Sequence, residues 1–335
     1  MKSLVTGATG FLGSAVMLCL LKAGHDVRLL IRPNSDRRNI DNLPVEIAEG
    51  DLRDQCSLER AVEGCDYLFH VAADYRLWVP DPQTMFDINV HGTKALIIAA
   101  ANAGLKRIVY TSSVAALGLT ANGAPADEET PVTLEQIQGH YKRSKYIAEQ
   151  MVRDLIRQHQ LPVVIVNPST PIGPRDIRPT PTGRIVLDTL HDRMPAYVNT
   201  GLNVAHVDDI AYGHLLACQH GKTGERYILG GDNMLLLEVL KTIDSIIGQH
   251  KKRINLPTDL MLPIAWLMEK IAAVTHKEPR ATLDSIRMAK KMMFFTSEKA
   301  IRELGYQYRP ARLALEDAVR WYQENDYCSS PGRGT

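Results

Sequence analysis

A chain of 335 residues that is 45% hydrophobic and 23% charged can bury a sizeable core, which excludes general disorder and suits one large domain or a large one with a smaller companion. Thirty-nine basic residues against 38 acidic ones leave a formal charge of +1, so the balance gives no argument for nucleic acid or an acidic membrane as partner. Five scattered cysteines (Cys19, Cys56, Cys65, Cys218, Cys328) form no C-x-x-C or metal-ligand spacing, and "MKSLVTGATG" opens as a strand instead of a leader; a reduced, cytoplasmic protein without a metal is expected.

In chain order, "KSLVTG" predicts a first strand, "FLGSAVMLCLLKAG" a helix stopping at Gly24, and "DVRLLIR" a second strand. Further strands are expected at "VEIAEGD", "CDYLFHVAA", "KRIVYTSS" and "LPVVIVNPS", with helices around residues 58–62, 85–103 and 141–158. This alternation implies βαβ units, and the apolar strand centres imply strands covered on both faces. The fold class is therefore α/β, a Rossmann-type doubly wound parallel sheet with a smaller C-terminal substrate-binding domain. Residues 1–168 are expected to form mainly the first and 169–328 mainly the second, with about 203–220 returning to the first and 329–335 a frayed tail. The proline-rich "NPSTPIGPRDIRPTPTGR" reads as a long loop, the kind that more often serves a site than merely connects. Beyond it come a helix near "VDDIAYGHLLACQHG", a strand "ERYILGG", and helices at "LLEVLKTIDSIIGQH", "LMLPIAWLMEKIAAV" and "RLALEDAVRWYQEN". The apolar stretch 260–274 is too short to span a bilayer and carries Glu269 and Lys270; it is expected to pack on the core or close a pocket, contact with a membrane surface being the weaker alternative.

"TGATGFLG" sets Gly7, Gly10 and Gly13 between the first strand and first helix, where they permit a tight turn, close approach of a pyrophosphate and close helix packing. Thr9, Phe11 and Leu12 share that turn and are counted with it as dinucleotide contacts. At the end of the second strand an adenosine ribose would usually meet Asp or Glu, whereas this chain offers Arg32, Ser35 and Arg37, followed by Arg38. Guanidinium groups suit a 2′-phosphate, so NADP(H) is favoured over NAD(H), although Asp36 stands among them. Asp51 in "EGDLRD" is placed to accept from the adenine amine with Leu52 against the ring, and Ala72 and Ala73 give small residues at a strand end where backbone can approach the cofactor.

"GHYKRSKYIAEQ" places Tyr141 and Lys145 four residues apart, on one side of a helix. A phenol is a poor base near neutral pH, and a neighbouring ammonium would favour its phenolate. Ser113, in "YTSSVAALG" 28 residues before Tyr141, ends a strand that the following helix can bring into the same cleft. Its hydroxyl could bond a substrate oxygen as charge develops there.

Taken with the later "HVDDIA", these segments resemble the extended short-chain dehydrogenase/reductase superfamily, the NAD-dependent epimerase/dehydratase type, over nearly the whole chain. That group includes dihydroflavonol reductases, cinnamoyl-CoA-type reductases, 3β-hydroxysteroid dehydrogenases and nucleotide-sugar epimerases. The 167–184 segment, "RMPAYVNTGLNVAHVDD" and "RMAKKMMFFTSEKA" resemble more narrowly the hopanoid-associated sugar epimerases. The resemblance implies that Tyr141 moves a proton, Lys145 lowers its pKa and holds the nicotinamide ribose, and Ser113 meets the substrate oxygen while Ser112 serves the strand end. It also implies that Asn89 supports the site, and that Thr111, Pro168, Ser169 and Ile172 pass beside the nicotinamide. Tyr75, Arg184, Tyr197 and Asn203 are substrate-pocket candidates. His206 with Asp208 and Asp209 reads as a turn and helix cap, not an acid/base group. A homodimer through the 85–103 and 141–158 helices is also implied.

The expected chemistry is hydride transfer between nicotinamide and a carbon bearing a secondary alcohol or ketone, the substrate being a small carbonyl compound, alcohol or nucleotide sugar. "SSVAALG" lacks the acidic pair a dehydratase would need beside its serine. A reductase is preferred, with a sugar epimerase that retains its cofactor as the alternative and a cofactor-sensing scaffold as the non-enzymatic one.

Overall fold

The computed structural model describes residues 1–76, 79, 81–275, 283, 286 and 291–328; the tail expected at 329–335 lies outside the described residues. The first half runs β1 (Lys2–Thr6), α1 (Phe11–Lys22), β2 (Asp26–Ile31), β3 (Val45–Glu49), α2 (Gln55–Val62), β4 (Tyr67–His70), α3 (Pro82–Phe86), a π-helical turn (Asp87–Gly92), α4 (Thr93–Asn102), β5 (Arg107–Thr111), α5 (His140–His159) and β6 (Val163–Pro168). Then follow β7 (Thr170–Ile172), α6 (Pro181–Leu190), β8 (Ala196–Tyr197), β9 (Gly201–His206), α7 (Val207–His220), β10 (Arg226–Leu229), β11 (Asp232–Leu235) and α8 (Leu236–Ile246). The chain closes with β12 (Ile254–Asn255), α9 (Thr258–Thr275), β13 (Met292–Met293), α10 (Glu298–Leu304) and α11 (Ala311–Glu324).

A seven-stranded parallel sheet has the order β10-β6-β5-β4-β1-β2-β3. Alternate residues of its strands feed two cores. Val5, Val109, Val164 and Val166 face α1 and α7, whereas Leu4, Ile108, Val163 and Ile165 face α2, α4 and α5. This two-residue alternation between two buried faces is why the strands read as nearly continuous apolar runs. Strand order reverses between β1 and β4, and in such sheets a ligand crevice opens there, beyond the carboxyl ends of the strands.

A smaller unit is built on β9, which pairs antiparallel with β11 and parallel with β13 and β7. Its core joins Val186, Leu240, Ile243, Leu315 and Val319 from α6, α8 and α11. The segment expected as one long loop, 167–184, instead carries β7 and the start of α6. Thr180 caps α6 by accepting from the Gly183 N–H at 3.1 Å, and Pro181 stands in the first turn, where its missing N–H costs nothing. On α9, Trp266, Leu267 and Ile271 are exposed at 52%, 54% and 53%. Among the described residues, no helix is long and apolar enough to cross a membrane.

Candidate active site

The turn after β1 is shaped by steric necessity. Gly7 has φ +78°, and a Cβ there would lie 2.8 Å from the Ala72 backbone nitrogen; one on Gly13 would lie 2.0 Å from the Gly7 carbonyl oxygen. Both exceed what packing can absorb without backbone movement. Gly10 donates to that same carbonyl at 2.9 Å and starts α1, which has no side-chain cap and no acidic residue in its first turn. Its orphan N–H groups and positive dipole end are therefore left for an anion. Thr9 and Leu12 are half-buried beside the turn and Phe11 is buried.

Three buried hydrogen bonds fix the opposite wall. Thr6 Oγ1 accepts from the Ala72 N–H at 3.1 Å and bonds His70 Nδ1 at 2.8 Å, and His70 Nε2 bonds Thr93 Oγ1 at 2.8 Å. Burial pushes His70 down to about 3, so the ring stays neutral while it bonds the Thr6 hydroxyl that in turn holds the Ala72 N–H. Leu52 is buried beneath Gly92, where a Cβ would lie 2.8 Å from the Leu52 Cβ.

The charged rim differs from expectation. Arg53 grips both Asp51 oxygens at 2.9 Å and pushes the carboxyl down to about 2. Arg38 holds Asp36 at 2.7 Å and likewise pushes it to about 2, while Arg37 pairs with Glu49 at 3.2 Å. Arg32 is exposed, and its carbonyl accepts from the half-buried Ser35 N–H at 3.0 Å. Two of the arginines assigned to a 2′-phosphate thus already face carboxylates.

At the other end of the crevice, the first turn of α5 meets the end of β5. Lys145 is buried, donates to the Thr111 carbonyl at 2.7 Å, and sits 5.0 Å from the centre of the Tyr110 ring. Burial brings its ammonium down to about 8. Tyr141 is raised above the ordinary phenol value, chiefly by burial and against the opposing effect of a hydrogen bond with the Ser113 side chain. Ser113 Oγ accepts from the Ala115 N–H at 3.1 Å, so its own hydrogen remains to be donated. Ser112 is buried with its Oγ unpartnered, and its N–H donates to the Val166 carbonyl at 2.8 Å. Thr111 Oγ1 bonds His214 Nε2 at 3.0 Å.

Asn89, in the π-helical turn, ties this end together. Its Oδ1 accepts from the Asp74 N–H at 2.7 Å, and its Nδ2 donates to the Asp74 carbonyl at 2.8 Å and to Ser144 Oγ at 2.9 Å. Ser144 in turn donates to the Tyr141 carbonyl at 2.7 Å. The loop at Asp74 and the first turn of α5 are thereby linked through hydrogen bonds.

Pro168 ends β6 opposite Leu229, and Ser169 donates its N–H to the Leu229 carbonyl at 3.1 Å while its buried Oγ lacks a partner. Ile172 lies in the core of the smaller unit. Tyr75 is exposed, raised by partial burial and by Asp176 and lowered by Arg178 and Arg184, which places it within the electrostatic reach of all three. Tyr197 packs against the smaller core. Asn203 is not offered to a ligand: its Nδ2 donates to the Gly231 carbonyl and Asn233 Oδ1 at 2.8 Å, and its Oδ1 accepts from the Gly231 N–H at 2.8 Å. His206 caps α7, accepting from the Asp208 N–H at 3.0 Å.

Four residues at this site were not singled out from sequence: Ser144, Glu149, Asn167 and Asp176. Only Glu149 left a signal, its four-residue offset from Lys145 on the same helix face. Asp176 is buried, with Oδ2 bound to the Thr180 N–H at 2.9 Å, Thr180 Oγ1 at 2.8 Å and Tyr322 Oη at 3.0 Å, and burial pushes its carboxyl up.

Glycine-lined cradle, uncapped helix end and unpartnered hydroxyls together fit a nicotinamide dinucleotide. A family model described as "NAD dependent epimerase/dehydratase family" matches residues 3–230. Among curated relatives, the "Putative dihydroflavonol 4-reductase" of Synechocystis sp. is 45% identical over 96% of this chain and 95% of its own. "Sterol demethylase protein B" of Methylococcus capsulatus is 37% identical over 97% and 99%. A crystal structure of gox2253 superposes with TM-score 0.88 at 54% identity, covering 97% of this chain and 98% of that one.

The expected preference for NADP(H) over NAD(H) is corrected. Two solved structures of the same fold hold NAD: a dTDP-glucose 4,6-dehydratase of Streptomyces venezuelae (23% identity, TM-score 0.77, covering 99% of both chains) and a UDP-glucose 4-epimerase of Thermus thermophilus (21%, 0.77, 96% and 99%). The physical reason lies in the rim: Glu49 and Asp36 lie against Arg37 and Arg38, and their carboxylates would repel a 2′-phosphate brought to the same guanidinium groups.

Proposed function

Because this chain belongs to the NAD dependent epimerase/dehydratase family, we propose that it is an NAD-dependent reductase of dihydroflavonol-reductase type, acting on a ketone or secondary alcohol through Ser113, Tyr141 and Lys145. At the coarser level the chain is an oxidoreductase or epimerase that depends on a nicotinamide dinucleotide.

The observation that carries the finer reading is the half-buried Tyr141, its phenol raised in pKa, bonded to the Ser113 side chain and one helical turn from the buried Lys145. A phenol raised above its ordinary value holds its proton at neutral pH, which suits donation to a carbonyl oxygen during reduction. As Tyr141 Oη gives up that proton, the Lys145 ammonium, fixed by the Thr111 carbonyl, offsets the phenolate charge. The Ser113 hydroxyl, its oxygen turned toward the Ala115 N–H, donates to the substrate oxygen where negative charge gathers. Gly7, Gly10 and Gly13 with the N-terminus of α1 would hold the pyrophosphate, Leu52 and Asp51 the adenine side, and Ala72, Ala73, Pro168 and Ser169 the backbone wall along the nicotinamide. A dinucleotide held there would, in its reduced form NADH, supply the hydride for reduction of a ketone and leave as NAD; for oxidation of an alcohol, NAD would accept the hydride. Tyr75 and Arg184 form the substrate side, Arg184 suiting an anionic group. The names of the similar proteins, a dihydroflavonol 4-reductase, cinnamoyl-CoA reductases and a farnesyl-quinoline ketoreductase, favour a bulky carbonyl substrate over a sugar nucleotide.

The test follows absorbance at about 340 nm with NADH and a panel of aromatic, isoprenoid and nucleotide-sugar carbonyl compounds. Net loss of absorbance supports a reductase; interconversion of epimers without net change overturns it. Tyr141→Phe should lower turnover by about 10²–10⁴-fold with NAD affinity nearly unchanged. Unchanged turnover would remove Tyr141 from its role.

A further inference from the structure

One charged side chain at this site has no part in the mechanism above. Glu149 is fully buried, on α5, four residues after Lys145 and so on the same helix face one turn further along. Its Oε2 accepts from Asn167 Nδ2 at 2.7 Å and its Oε1 from Arg226 Nη1 at 3.2 Å. The same Asn167 Nδ2 donates to the Ser113 carbonyl at 3.0 Å. Arg226, on the outermost strand β10, also donates to the Glu128 carbonyl. A continuous set of hydrogen bonds therefore runs from the sheet edge, through one buried carboxylate, to the backbone of the residue that faces the phenol. A carboxylate is costly to bury and would not persist at such a place by packing alone.

We propose that Glu149 is a positioning residue, whose buried carboxylate keeps the Lys145 ammonium charged and, through Asn167, holds the Ser113 backbone in register with Tyr141. This inference rests on the function proposed above. Lys145 is faced by the Tyr110 ring and Thr111 carbonyl of β5, by the neutral His70 of β4, and on its own helix by Glu149, with Tyr141 one turn before it. Burial works against the Lys145 charge and Glu149 supports it. Glu149 is in turn faced by Arg226 of β10, Asn167 of β6 and Tyr110 of β5. Lys145 stands at about 8, so the sign follows directly: the ammonium is present below that pH and lost above it, and the rate should fall on the alkaline side as it goes.

Glu149→Gln removes the supporting charge and Arg226→Gln removes the cation that competes for it. The pH profile of the reductase rate should show its alkaline limb about one unit lower in the first variant and higher, by about half a unit, in the second. A residue that only fills space would move both limbs alike or neither, so coincident limbs or shifts of one sign overturn the inference. Should Glu149→Gln fail to fold, Arg226→Gln decides alone: an upward shift supports the proposal and its absence overturns it. NAD binding by each variant, followed by quenching of intrinsic fluorescence, reports folding separately. Absence of any carbonyl reduction by the unaltered protein is failure of the proposed function, a result distinct from an unmoved limb.

Discussion

The nucleotide end of the crevice and the smaller unit beyond β6 are held together by different means. Around β1 and α1 the closest approaches set a glycine against backbone, Gly13 against the Gly7 carbonyl and Gly7 against Ala72, beside the side-chain bonds of Thr6 and His70. In the smaller unit the decisive contacts are side chains that reach backbone far away in sequence, as Asn203 does to Gly231 and Phe295, Asp232 to the Ala311 N–H, and Tyr327 to the Ile177 carbonyl. The first kind of constraint permits almost no alternative residue. The second permits many, provided the partners change together. A scaffold of this construction constrains the residues of the glycine turn closely and leaves those of the smaller unit freer to vary.

That contrast can be broken most forcefully at Gly13. Gly13→Ala puts a methyl group 2.0 Å from the Gly7 carbonyl oxygen, so α1 must move off the turn. NAD affinity should fall by more than about tenfold and stability by about 1–3 kcal/mol, read by titration calorimetry and urea unfolding. A smaller loss is expected for Asn203→Ala, which strands the Gly231 N–H in a buried site. Unfolding should become easier by about 1–3 kcal/mol while NAD affinity stays within twofold; a large loss of NAD affinity would show the two regions to be coupled. The mildest change is Arg37→Ala. Its pairing with Glu49 is exposed and worth less than about 1 kcal/mol, so NAD affinity and turnover should both hold within about twofold.

The same contrast explains what could be read from residues alone. The Rossmann-type sheet was legible because each strand repeats an apolar run between helical patterns, and the glycine turn because its spacing follows from backbone sterics. Ser113, Tyr141 and Lys145 stood out through their placement at a strand end and on one helix turn. Strands β8, β11, β12 and β13 were not legible, being two to four residues long and made only by pairing with distant segments. The arginines after β2 misled for a related reason. A run of guanidinium groups looks like a phosphate receptor until Glu49, twelve residues past Arg37, is seen to lie across from it. Asn203 misled similarly, its polarity suggesting a ligand where it serves the turn at Gly231. Asn167 could not be found because nothing in its neighbourhood in the chain says that its amide spans Glu149 and the Ser113 carbonyl.

The π-helical turn at Asp87–Gly92 carries one further consequence. It winds the chain wider than the helix on either side, so the span from Pro82 to Asn102 holds about one residue more than a regular spiral of the same length would accommodate. Asn89 stands in that surplus, where it reaches both Asp74 and Ser144. Removing a single residue there would give a straighter and locally more regular helix, and would swing the amide about 100° away from the loop it tethers. Here an improvement in regular geometry and the loss of a bridge would be the same event.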